Sequence, residues 1–186
     1  MKLRQLGGWA LLANAAIGVL LTVEMLIGGG NTPTPVTIVQ LLGFLLFIVG
    51  LPAIWALQPQ TGRLGQLGLA LMGLGAGIAF IVVAMYLAGS STSSLVAWSS
   101  AIAGGLGSVL VGWLTVKARV FPAWIGWLLL VTAVLNFATG YLSSGTVATV
   151  VGFVVGLALA LPVAGYGWII VQRSRASYAQ WAPVGA

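Results

Sequence analysis

The chain has no cysteine, no histidine and no aspartate, and its one acidic residue is Glu24. Each absence closes off chemistry. Without Cys there are no disulfides or thiolates, and without Cys or His there is no ordinary zinc site and no haem held by either residue. A single carboxylate cannot form the paired acid and base of glycoside hydrolysis. Ser or Tyr with Lys is formally available as a catalytic pair, but Lys2 and Lys117 lie at terminal or interfacial positions with no motif around them. A non-enzymatic protein is expected, with no catalytic residue, no metal site and no evident cofactor. A bound lipid or other lipophilic ligand fits the composition.

Charge is scarce as well. Charged residues make up 4% of the chain, against about 25% in a soluble domain. Hydrophobic residues make up 60%, so the solvent for this surface is lipid. The net charge of +6 does not point to nucleic acid, because the seven basic residues form no stripe or patch with interleaved aromatics. They stand singly or in pairs at the ends of apolar runs.

Those runs number six: 9–27, 36–57, 64–88, 95–116, 121–142 and 146–171. Each is near the ~20 residues that a membrane-spanning helix requires. Polar, Gly- or Pro-rich breaks separate the first four: GGGNTPTP (28–35), QPQTG (58–62) and GSSTSS (89–94). The last two breaks, KAR (117–119) and SSG (143–145), are short enough to make helices 4, 5 and 6 antiparallel neighbours. A transmembrane β-barrel would instead show alternating segments of ~10 residues. The expected fold is an all-α integral membrane protein, a compact antiparallel bundle of six spans over 1–172. A short cytoplasmic tail follows at 173–186.

Orientation follows from charge. Lys2 and Arg4 precede the first span, Arg63 lies between the second and third, Lys117 and Arg119 between the fourth and fifth, and Arg173 and Arg175 after the sixth. All fall on one side, which the positive-inside rule makes cytoplasmic, together with both termini. Trp9, Trp55, Trp113, Trp124, Trp127 and Trp168 fall near that side, and Tyr86, Trp98 and Tyr141 near the other, as two interfacial belts. MKLRQ resembles the start of a signal peptide, but the apolar run is longer than a usual h-region and no A-x-A site follows that run, so the first span reads as a retained anchor. The expected location is the plasma (inner) membrane.

A threefold hairpin repeat is one reading of the basic spacing, since Arg4, Arg63, Arg119 and Arg175 are 59, 56 and 56 residues apart. The segments GFLLFIVGLP (43–52) and GFVVGLALALP (152–162) also match at their ends. Three such hairpins superficially resemble mitochondrial carriers. Their P-x-[DE]-x-x-[KR] signature is absent, and nothing of that family's function is carried over. The competing reading is the periodicity that the positive-inside rule imposes on any six-span chain. Small residues at four-residue spacing (Gly73/Gly77, Gly152/Gly156, Ala103/Gly107, Gly104/Ser108) mark expected close helix approaches, and Pro52 and Pro162 mark expected kinks.

The candidate functional or cavity-lining residues are Glu24, Asn14, Asn136 and Ser108. Glu24 lies three residues before the end of its run, about 4–5 Å inside the boundary at ~1.5 Å per residue. Three readings are open for it: a solvated interfacial carboxylate, a buried protonated acid, or a proton- or cation-handling site. The amides and hydroxyls read either as glue between helices or as the lining of a neutral polar cavity. Two functions follow. One is binding or transport of a lipophilic or small neutral molecule within the bilayer. The alternative is a structural or accessory subunit of a larger membrane complex. The bilayer is the expected partner; a second membrane protein or copy is compatible with the surface, and nucleic acid is not.

Overall fold

The computed structural model describes residues 2–27, 34–139 and 146–179; within these, the side chains of 2, 25, 97, 136–139, 146–149, 151, 152 and 177–179 are outside the description. Six α-helices fill these segments: α1 (Lys2–Ile27), α2 (Thr34–Leu57), α3 (Gly62–Leu87), α4 (Ser94–Ala118), α5 (Ala123–Thr139) and α6 (Thr146–Ala179). Lipid offers no hydrogen bonds, so a spanning segment must satisfy its backbone internally, and helix is the local solution. Five of the six are long and apolar enough to cross a membrane. The fifth helix, α5, is the short one: its described apolar stretch is Ala123–Leu135, and the expected span to 142 ends outside the described residues.

The helix ends have local causes. Pro59 lacks an N–H and breaks α2 from α3 through a 3-10 turn, Pro59–Thr61. At the end of α3, Gly89 adopts φ +73°, while its N–H and that of Ser90 bond back to Tyr86 and Met85 at 3.0 and 2.9 Å. This is a Schellman closure, which needs the left-handed backbone that glycine supplies. Arg119 takes the same role after α4 at φ 54°, the only non-glycine at positive φ among the described residues. Two helices outrun the apolar runs: α1 starts at Lys2 and α6 continues to Ala179. Hydropathy locates the lipid-facing length, and helix propagates beyond it into the basic flanks.

The helices stand in a closed ring, in chain order, with α6 packed back on α1. Neighbours are antiparallel. Asn14 faces Gly43 between α1 and α2, Leu51 approaches Gly73 between α2 and α3, and Gly75 meets Gly104 between α3 and α4. Gly112 meets Gly126 between α4 and α5, Thr132 reaches Ala158 between α5 and α6, and Gly8 meets Gly167 between α6 and α1. Backbones touch at several of these crossings. A Cβ on Gly75 would lie 2.6 Å from the Gly104 nitrogen, and one on Gly167 would lie 2.7 Å from the Gly8 oxygen. In α3 the expected pair was Gly73 and Gly77. The close approach is instead at Gly75, and a Cβ on Gly77 would meet nothing within 4 Å. Spacing alone gives two small residues on one face, not which face turns inward.

Core packing is concentrated toward the end that carries the basic residues. Leu11, Leu51, Ile54, Leu69, Val111, Phe121, Ile125, Leu129, Tyr166 and Ile170 form one buried cluster there. A polar chain runs through it: Gln58 Nε2 donates to Thr115 Oγ1 at 3.2 Å, and Thr115 Oγ1 shares a hydrogen bond with Tyr166 OH at 2.6 Å. Phe121 stacks edge-on against Tyr166, and Arg173 lies over the Phe121 ring, 5.8 Å from its centroid. The outer wall is apolar, with Leu20, Val49, Leu74, Ile81, Val134 and Leu161 all exposed.

Candidate functional site

Away from that cluster the ring does not fill. A central cavity of about 490 Å³ lies among all six helices, lined by residues 14–22 of α1, 40–47 of α2, 72–79 of α3, 100–108 of α4, 132 and 133 of α5, and 156–163 of α6. On every helix these positions lie toward the end away from the basic residues. Small side chains create the space: Ala15, Ala76, Ala79, Ala101, Ala133 and Ala160 face it where larger residues would meet at the axis. Ile17, Leu21, Phe44, Phe47, Leu159 and Val163 supply most of the remaining apolar wall. Toward the basic end Met72 and Val163 belong both to the cavity wall and to the packed core, which continues through Leu11, Leu51, Val111 and Leu129.

The polar lining is neutral throughout. Asn14 is half-buried, and its Nδ2 donates to the Gly43 carbonyl at 2.8 Å. That bond uses one of the two Nδ2 protons and leaves the acceptor capacity of Oδ1 unspent. Ser108, buried on α4, donates to Gly104 O at 2.8 Å, and Ser100 donates across the α3–α4 crossing to Gly75 O at 2.8 Å. Thr22 donates to Gly18 O at 2.6 Å. Gln40, half-buried on α2, also lines the cavity.

Thr132 has a further task. Its hydroxyl donates to Leu128 O at 2.6 Å and reaches Ala158 O on α6 at 3.2 Å. Ala158 lies four residues before Pro162, the position whose carbonyl loses its helical partner because proline has no N–H. As the longer arm of a three-centre bond, the α5 hydroxyl thus partly replaces the bond that Pro162 removes. Pro162 is fully buried just past the cavity-lining Ala160. Pro52 is exposed and borders an open external groove with Leu51, Trp55 and Gln66. The two prolines of the matching GF…LP segments therefore turn to different environments.

Of the four residues singled out by sequence, the structure brings Asn14 and Ser108 together on the cavity wall. Glu24 is half-buried near the end of α1 and does not line it, although Leu21 and Thr22 do. The described basic side chains lie at the opposite end of the ring from Glu24. Asn136 falls within α5, but its side chain lies outside the described residues. Ser100, Thr22 and Thr132 join the site. Ser100 carried a signal in sequence, since Ala103, Gly104 and Gly107 follow it at helical spacing, whereas Thr132 stands among Leu128, Leu129 and Leu135 and Thr22 beside Val19 and Leu26. The chain matches no family model, no curated protein and no solved structure.

Proposed function

We propose that this protein binds a small neutral or lipophilic molecule in the central cavity, and that it does so without catalysis. The observation that carries this reading is the cavity itself: about 490 Å³, walled by all six helices, mostly apolar, with no charged residue in its lining. Small-molecule sites share that size range and that mixture of apolar wall with a few placed polar groups. An accessory subunit held by its outer surface predicts a filled core and a flat, Gly-rich outer face, and the cavity favours the binding reading over it. Passage across the bilayer would have to part the packed cluster around Leu11, Val111 and Leu129 and the Gln58–Thr115–Tyr166 chain, so the supported function is binding rather than a standing open path. The clustering of exposed Arg4, Arg63, Lys117, Arg119, Arg173 and Arg175 at one end supports a plasma (inner) membrane protein with cytoplasmic termini. Native mass spectrometry after mild detergent purification tests the reading. A retained small-molecule adduct on the monomer supports it, and a bare chain or one bound only to another protein opposes it.

A further inference from the structure

The identity of the polar lining narrows the ligand further, on the reading that the cavity binds a small molecule. A hydroxyl has one proton to give and two lone pairs to receive with. Ser100, Ser108 and Thr22 each direct that proton at a backbone carbonyl, those of Gly75, Gly104 and Gly18, and Thr132 shares its proton between the carbonyls of Leu128 and Ala158. Carbonyls cannot donate, so the direction of these bonds is fixed by chemistry. What the four hydroxyls present to the cavity is therefore acceptor capacity alone. Asn14 adds its Oδ1 and one remaining N–H, and Gln40 adds a carboxamide with both functions. Acceptors outnumber donors across the lining.

A ligand that brought only acceptors would face lone pairs at four of these six groups and lose its own hydration without replacement. A ligand with an O–H or N–H donor recovers that bond. A cation would also be a donor, but no carboxylate lines the cavity to offset its desolvation. We infer that the cavity selects an uncharged, largely apolar molecule that carries a hydrogen-bond donor, of the phenol or alcohol class, with the Ser100 and Ser108 oxygens among its acceptors.

Matched probes separate this from simple apolar binding. 1-Naphthol and 1-methoxynaphthalene share a ring system, and only the first can donate; 1-acetonaphthone can only accept. Binding of each to the purified full chain in detergent is measured by fluorescence. The expected result is a preference for 1-naphthol over 1-methoxynaphthalene of about tenfold, the factor for roughly 1.4 kcal/mol. 1-Acetonaphthone should bind no better than the ether. In the Ser100→Ala/Ser108→Ala variant the naphthol-to-ether ratio should fall toward one. Taking the change in ratio cancels partition of the probes into micelles. Equal binding of naphthol and ether to the unaltered chain overturns the donor inference and leaves the binding function standing, and that comparison needs no variant to fold. Saturable binding by none of the three probes overturns both. An unchanged preference in a folded double variant overturns the assignment to these two serines.

Discussion

Thr115 sits where three helical hairpins converge at the closed end, and it has no exposure at all. Its hydroxyl holds Gln58 from the α2–α3 connection and Tyr166 from α6. Thr115→Val keeps the shape but strands two buried polar groups, which should cost about 2–3 kcal/mol. Tyr166→Phe leaves the Gln58–Thr115 bond in place and should cost about 1 kcal/mol. Thermal unfolding in detergent distinguishes the two, and equal losses would mean that the chain does not act through Thr115. Glu24 is the opposite case. A lone carboxylate in a chain of 186 residues draws attention to itself, yet its place on α1 is beside the cavity wall and not on it. Glu24→Gln should leave retention of the ligand unchanged from pH 5 to 8, as read by native mass spectrometry. Depth along a helix could be counted from the sequence. Angular position could not, because it depends on which flanks of α1 meet α2 and α6.

Between elements, the Thr132–Pro162 relation makes a sharper test than either residue alone. Thr132→Val should destabilise by about 1–2 kcal/mol, because the Ala158 carbonyl then has no partner. In a Pro162→Ala background an N–H returns at position 162, and the same Thr132→Val change should cost markedly less. A double-mutant cycle of unfolding free energies checks this, and additivity would contradict the replacement bond. The α3 glycines give a second test. Gly75→Val should prevent the α3–α4 approach and strongly destabilise the fold, while Gly77→Ala should be neutral or stabilising by up to about 1 kcal/mol. Six helices, their antiparallel order and a polar cavity candidate at Asn14 and Ser108 could be read from hydropathy and from small-residue faces. The inward glycine of α3 could not, because Gly73, Gly75 and Gly77 are equivalent in composition and differ only in where a neighbour comes to lie. The link from Thr132 to Pro162 was hidden for a related reason. Its bond joins Thr132 to Ala158, 26 residues apart, through a carbonyl, which leaves no trace in residue type.

For the whole molecule, a ring in chain order explains why a chain with almost no charge can be both tightly packed and hollow. Near the basic end, Leu, Ile and aromatic side chains reach the axis and meet. Farther along, Ala, Gly, Ser and Asn take many of the inward positions between Ile17, Phe44, Phe47 and Leu159, and a void is left. The small residues that suggested close packing at the sequence level do so at helix crossings; facing the axis they have the reverse effect. Void volume is therefore the property from which function follows, and filling it is the most direct test. Ala79→Phe and Ala101→Phe each place a ring into the cavity from a wall position outside the packed core. Native mass spectra of the unaltered chain and these two variants, each with its melting temperature, should show a small-molecule adduct only on the unaltered chain, with the variants folded and no less stable. An adduct that persists at the same occupancy in both folded, filled variants would place the ligand elsewhere and contradict the central cavity as its site.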